Sequence, residues 1–167
     1  VGTSSDITVP TLCTGITQGT VAKLLSSSDL TENSRGEVSA IKTTDGKIYM
    51  AGKGDNNCIP GETSDQTSFT DVTSYFGDQS LTANTVTMMS FTDRSGAALT
   101  ETGNVWTWGT HDSTNKALGQ AGASSSSTPK QINFSSATGT ITKVTCGSVH
   151  SLALDSSGDV WLWGKNG

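Results

Sequence analysis

Few side chains in this sequence have the chemistry of a catalytic centre. The 167 residues include only two histidines, His111 and His150. His111 precedes Asp112, and such a pair could bind a metal or move a proton, but adjacency in sequence is a weak indication of either role. The sequence has no Gly-x-Ser-x-Gly turn, no Cys-x-x-Cys pair, no phosphate loop and no calcium-loop spacing. We therefore predict a protein that is not an enzyme and holds neither a cofactor nor a metal.

Two polar segments are better suited to recognition than to catalysis. One begins at Gly52 and joins a lysine, a carboxylate and two amides, and the other follows Gly109. Each comes after a short apolar run that ends in glycine, so we expect surface loops held by strands, where binding residues concentrate. The alternative is that both are ordinary solvated turns. The candidate ligand contacts are Lys53, Asp55, Asn56, Asn57, His111, Asp112, Ser113 and Asn115.

The three cysteines are the other reactive side chains. Cys13 and Cys58 lie among polar and turn residues, whereas Cys146 ends an apolar, strand-like run over residues 141–146. We predict a disulfide between Cys13 and Cys58, with Cys146 buried as a small apolar side chain. The alternative is three thiols in a reducing compartment.

The composition favours a β protein. Ser and Thr are abundant, there are 19 glycines, and 15% of the residues are charged. Thr, Val, Ile and Trp suit strands, while Gly, Ser, Asn and Asp suit the turns between them. The net charge of −5 disfavours nucleic acid as a partner, because that binding depends on cationic contacts to phosphates. No apolar run approaches 18 residues, so we expect no membrane insertion.

An internal repeat supplies the elements that would position the loops. Residues 45–52, 102–109 and 157–164 align with one another, and their first glycines are 57 and then 55 residues apart. Each copy has an apolar run, a turn containing glycine, a four-residue strand and a second glycine, which predicts a β-hairpin. The turn glycines are expected to have positive φ.

The second and third copies carry tryptophans at alternate positions. Alternation places Trp106 with Trp108, and Trp161 with Trp163, on one face of their strands. An aromatic pair at this spacing is more typical of packing between sheets than of a ligand platform. We therefore expect the tryptophans to be structural.

The third copy resembles the repeat of the regulator of chromosome condensation family. Residues 146–154 read Cys-Gly-Ser-Val-His-Ser-Leu-Ala-Leu and continue through Gly158 to Trp163 and Gly164. The second copy keeps most of the pattern, the first is degenerate, and the resemblance covers about residues 37–167. It implies antiparallel propeller blades, but no functional residue is carried over, because the matching positions belong to the scaffold.

The resemblance and the repeat together predict an all-β fold of antiparallel propeller-like blades that form an incomplete or partial β-propeller. Residues 1–16 are expected to be a linker or edge strand. Residues 17–167 form the repeat domain, with copies near 17–76, 77–134 and a truncated 135–167. Because three blades cannot close a ring, further blades, completion by other subunits and a compact sandwich all remain open.

The leading functional prediction is a non-enzymatic extracellular binding module. It would be an adhesin or fibre-tip domain of microbial or viral origin, placed at a cell or virion surface, that recognises a protein or glycan receptor. Self-association through blade edges is a further expectation. The alternatives are a structural subunit of a pilus, fibre or capsid, and a secreted protein inhibitor. An inhibitor would present aromatic residues in loops, whereas here they are concentrated in strands.

Overall fold

The computed structural model is all-β, which confirms the predicted fold class. It describes residues 12–13, 15–17, 19–27, 38–76, 85–92, 94–110, 118–121, 125–147 and 149–165. These residues form eleven strands and two short 3-10 turns, Asp55–Asn57 and Thr73–Phe76, and they contain no α-helix. No helix within these ranges is long and apolar enough to cross a membrane.

The strands form three antiparallel sheets in chain order. Blade 1 has the order β1-β2-β3-β4, blade 2 the order β5-β6-β7-β8, and blade 3 consists of β9, β10 and β11 with β10 in the middle. The strands are β1 Val21–Ser27, β2 Val38–Thr43, β3 Ile48–Gly52, β4 Gln66–Asp71, β5 Val86–Phe91, β6 Ser95–Thr100, β7 Val105–Gly109, β8 Ser126–Gln131, β9 Ile141–Cys146, β10 His150–Asp155 and β11 Val160–Gly164.

The blades lie side by side through their first strands. β1 contacts β5, and β5 in turn contacts β9. This is the arrangement of the inner strands around a propeller axis, with β4 and β8 at the outer edges of their sheets. The three blades do not close a ring, so the partial propeller predicted from the repeat is confirmed.

The predicted central hairpins are present in all three blades, and a buried polar side chain closes each turn at the same position. This residue is Thr43 in blade 1, Thr100 in blade 2 and Asp155 in blade 3. In each case its side-chain oxygen accepts a hydrogen bond from the backbone N–H four residues later, at 3.0–3.2 Å. The glycine within each turn has a φ of 80–92°, a left-handed conformation that side chains rarely adopt.

Blades 1 and 2 are joined by a core built on the two tryptophans of β7. Trp106 and Trp108 are almost completely buried. Phe76 and Phe91 meet Trp108 edge to face, with ring centroids 5.6 Å and 6.1 Å away. Gly96 lies opposite Trp108 on β6, and a Cβ there would come within 2.3 Å of the indole. The prediction that this pair packs in the interior is confirmed.

Blades 2 and 3 share a second core. It contains Leu99 and Val105 from blade 2 together with Val144 and Ala153 from blade 3. Phe134, in the connection between the blades, packs edge to face against Trp161 and Trp163, with centroids 5.6 Å and 5.9 Å away. These two tryptophans are half-buried and structural, as expected.

The structure contradicts the predicted disulfide between Cys13 and Cys58. Cys58 is fully buried in the core between blades 1 and 2, while Cys13 is exposed in the segment before β1. Both residues are present as thiols, so no disulfide joins them. The polar residues before Cys58 in the sequence suggested a surface position. The structure instead buries Cys58 together with its neighbour Ile59. Cys146 ends β9 and is half-buried against the second core.

Candidate binding surface

The loop that joins β3 to β4 carries four of the predicted contacts. Lys53, Asp55, Asn56 and Asn57 lie in its first part and are half-buried. Asn56 and Asn57 have φ values of 59° and 58°, in the left-handed region that asparagine tolerates better than most residues. Two successive residues in this conformation turn the chain sharply, so the loop has a defined shape.

Blade 2 holds this loop at two backbone carbonyls. The indole N–H of Trp108 donates to the carbonyl oxygen of Cys58 at 2.9 Å, and the hydroxyl of Thr110 donates to that of Asn56 at 3.1 Å. The first bond is fully buried, where a hydrogen bond restrains its partners most effectively. The loop is therefore fixed to both blades, although its residues come from blade 1.

The second part of the loop is more exposed and is braced by its own side chains. Gln66 donates from its amide to the carboxylate of Glu62 and to the carbonyl oxygen of Ser64, both at 3.0 Å. Asp65 accepts from the backbone N–H of Gly54 at 3.4 Å and lies 3.4 Å from the ammonium group of Lys53. The Asp65 side chain is 53% exposed, so this ion pair contributes little to stability but fixes the polar surface.

The loop has an acidic balance. It contains one cation, Lys53, and three carboxylates, those of Asp55, Glu62 and Asp65. One carboxylate oxygen of Asp55 is buried without a hydrogen-bond partner among the described residues, and a buried acceptor left in that state is uncommon. That oxygen is not available to a partner, but the excess of carboxylates over cations suits the exposed part of the loop to a partner with cationic groups.

The structure tests the predicted contacts only in part. Lys53, Asp55, Asn56 and Asn57 are brought together in one loop, whereas His111, Asp112, Ser113 and Asn115 lie outside the described residues. Thr110 connects the end of β7 to Asn56. Sequence reasoning missed the exposed segment Thr63–Asp65, because no motif marks it. It also missed the anchoring role of Trp108, although the glycine after this residue was a signal that the position is special.

Gly109 shows why glycine follows the second tryptophan of β7. Its φ is 114°, and a Cβ at this position would lie 2.3 Å from the carbonyl oxygen of Arg94 and 2.5 Å from the Cα of Ser95. Only glycine allows β7 to approach the β5–β6 connection so closely. The glycine after Trp108 therefore has a steric cause.

Antiparallel sheets that repeat one hairpin and pack face to face around their first strands are blades of the β-propeller type. Residues 102–154 match the family described as the regulator of chromosome condensation (RCC1) repeat. Residues 102–154 therefore carry an RCC1-type repeat, which confirms the resemblance identified in the sequence. The matched stretch runs from the β6–β7 turn through most of β10, so it crosses from blade 2 into blade 3.

Curated relatives include a very large enzyme. The chain is 42% identical over 73 residues to the E3 ubiquitin-protein ligase HERC2 of Mus musculus, and 41% identical over 73 residues to that of Homo sapiens. Each match covers 44% of this chain and 1% of the relative. The likeness therefore concerns a small part of those proteins.

Solved structures share the fold at low sequence identity. Human WBSCR16 matches with a TM-score of 0.65 at 20% identity, over 89% of this chain and 34% of that chain. Yeast RCC1 (Prp20) in complex with Kap60 matches with 0.63 at 18%, over 94% and 31%. Prp20p of Saccharomyces cerevisiae, described with its binding to Gsp1p and histones, matches with 0.59 at 19%, over 78% and 31%. This chain thus spans about a third of each neighbour.

Proposed function

We propose that this chain is a non-enzymatic binding module that presents the β3–β4 loop to a protein partner with a cationic surface. The observation that carries the proposal is the clamp on this loop: blade 2 holds the carbonyl oxygens of Asn56 and Cys58. A loop fixed before binding loses less conformational entropy when the partner arrives. A rigid scaffold with a braced polar loop is typical of recognition surfaces.

The acidic balance supports a basic partner. The loop contains three carboxylates and one lysine, and the whole chain carries a net charge of −5. Complementary charge speeds association and disfavours partners of like charge. The yeast neighbour Prp20p is described with binding to histones, which are basic proteins, so histones are a suitable first probe for this chain.

Binding of purified core histones to the immobilised chain tests the proposal. The double variant Glu62→Lys with Asp65→Lys reverses the charge of the exposed part of the loop, and we expect at least tenfold weaker binding. Asp159→Lys is the matched control, because this exposed acid lies in the β10–β11 turn, at the opposite end of a blade. Absence of histone binding, or equal weakening by both variants, would contradict a basic partner for this loop.

Placement at a cell or virion surface, as an adhesin or fibre-tip domain, remains part of the proposal. Labelled chain incubated with intact cells tests it by flow cytometry, with the same loop and control variants. Binding that disappears in the loop variant and persists in Asp159→Lys is the expected result. Cells that never retain the chain would exclude the adhesin role.

A structural role in an assembly is a second candidate, and one face of blade 3 favours it. Val160 and Leu162 are 67% and 62% exposed and lie opposite Leu154 and Leu152 on β10. The corresponding face of blade 2 is covered by blade 3, so a second copy of this chain could cover this one by continuing the same packing. Light scattering should then show association that rises with concentration and is lost in Leu162→Lys, whereas a monomer at every concentration would exclude it.

A further inference from the structure

A cleft between blades 2 and 3 lies at the end of the blades opposite to that of the β3–β4 loop. It has a volume of about 600 Å³. Its walls are the β6–β7 turn at residues 102–105, the segment 131–134 that leaves β8, and residues 137–141 that lead into β9. A cavity of this size falls in the range of small-molecule sites.

The floor of the cleft is rigid. Val105, Ile132 and Ile141 line it and are buried in the core shared by blades 2 and 3. Phe134 also lines it and is held edge-on by two tryptophans. Gly103 lets the turn approach the opposite wall, because a Cβ there would lie 2.1 Å from the methyl carbon of Thr140. The cleft therefore exists before any ligand enters it.

The polar groups of the cleft are amides and hydroxyls. Asn104 donates from its side-chain amide to the hydroxyl of Thr102 at 3.3 Å, which orients both groups. Gln131 and Asn133 are exposed, and their amides make no hydrogen bond to another described side chain. Each such amide offers hydrogen-bond donors and an acceptor. The cleft can therefore form hydrogen bonds with a ligand that carries both donors and acceptors.

None of the residues that line the cleft is charged. A phosphate or carboxylate ligand would lose its hydration without meeting a cation, which is costly. A neutral polyhydroxy ligand avoids this cost, because its hydroxyls exchange hydrogen bonds with water for hydrogen bonds with the amides. The half-buried ring of Phe134 adds apolar surface for the C–H groups of such a ligand.

We propose that this cleft binds a neutral saccharide of one or two sugar units. Gln131 and Asn133 hydrogen-bond its hydroxyls, the Thr102 and Asn104 pair orients it, and Phe134 contacts its apolar face. The site is independent of the β3–β4 loop, which would recognise a different class of partner at the other end of the blades.

Chemical-shift titration of the 15N-labelled chain tests the proposal with maltose, cellobiose and lactose as neutral probes. Glucuronic acid and N-acetylneuraminic acid are the charged comparisons. At least one neutral sugar should produce saturable shifts in the side-chain amides of Asn104, Gln131 and Asn133, with at least tenfold weaker binding of both acids. Absence of shifts with all three neutral sugars, or equal binding of the acids, overturns the proposal.

Substitutions separate this site from non-specific contact with sugar. Gln131→Leu and Asn133→Leu replace exposed amides, so the fold is retained, and each should weaken binding of the responding sugar at least fivefold. Thr44→Val, at an exposed position in the β2–β3 turn of blade 1, is the control and should leave the affinity unchanged. Unchanged affinity in both leucine variants would exclude the cleft, and this result is independent of the histone experiment on the loop.

Discussion

The indole N–H of Trp108 donates a buried 2.9 Å hydrogen bond to the carbonyl oxygen of Cys58. The bond joins a strand of blade 2 to a loop of blade 1. It ties the scaffold to the candidate binding surface, since the same indole packs against Phe76 and Phe91.

Replacing Trp108 by Phe should destabilise the chain more than replacing Trp106 by Phe. Both tryptophans are buried, so the loss of volume is similar. Trp108→Phe also leaves the buried carbonyl of Cys58 without its indole donor, a loss of about 1–3 kcal/mol. The indole nitrogen of Trp106 has no hydrogen-bond partner among the described residues. Urea unfolding measures the difference, and equal destabilisation would contradict the role given to Trp108.

Asp155 should make stability depend on acid pH. Burial raises the pKa of this carboxyl, but hydrogen bonds from the backbone of Asp159 and the indole of Trp161, with smaller contributions from Ser157 and Gly158, hold it below its ordinary value overall. The stabilisation is complete above the ordinary carboxyl pKa of about 3.9. It is lost as the pH falls through the lower, folded-state pKa.

Two substitutions separate the charge of Asp155 from its role in the hairpin turn. Asp155→Thr copies Thr43 and Thr100, which close the corresponding turns, so it should be more stable than Asp155→Ala at pH 7. Both should lose the acid dependence that Asp155 supplies. Urea midpoints between pH 2 and pH 7 provide the measurement. The same acid dependence in Asp155→Thr as in the parent chain would refute the assignment.

Gly109→Ala should be far more disruptive than Gly158→Ala. Both glycines have positive φ, so each substitution costs about 1–2 kcal/mol in backbone strain. At Gly109 the new Cβ also meets the backbone of Arg94 and Ser95, whereas nothing lies within 4 Å of a Cβ at Gly158. Thermal unfolding of the two variants checks this, and similar melting temperatures would argue against the close approach of β7 to the β5–β6 connection.

The three cysteines should react with iodoacetamide at different rates. Cys13 is exposed and should be alkylated first, while Cys58 is buried and should react only when the chain opens. Burial raises the pKa of the Cys146 thiol, which lowers its thiolate fraction and slows its reaction. Mass spectrometry without reductant follows the order. If Cys13 and Cys58 accept label only after reduction, the result would support the predicted disulfide and contradict the structure.

The sequence was sufficient for the hairpins and insufficient for the loops. Glycines at fixed spacing around apolar runs mark turns and strands, because both have local requirements that any copy must meet. Cys58 is buried in one core with Trp108, which lies 50 residues away in the sequence and donates to its carbonyl oxygen. No local pattern contains that contact, so the disulfide was wrongly predicted from polar neighbours.

The candidate site shows the same division. Lys53, Asp55, Asn56 and Asn57 could be proposed because they follow a strand that ends in glycine. The exposed segment Thr63–Asp65 could not, because it is braced by contacts of Ser64 with Gln66 and of Asp65 with Lys53. The cleft between blades 2 and 3 was also beyond the sequence, since its walls come from three separate segments.

Nuclear Overhauser spectroscopy tests the stacking of the blades most directly. The structure predicts contacts between the ring protons of Phe76 and Trp108, which join blade 1 to blade 2, and between Phe134 and Trp161, which join the blade connection to blade 3. Contacts between Ala98 and Trp106, paired within blade 2, serve as the internal control. Presence of the control contacts without either contact between blades would contradict the propeller arrangement.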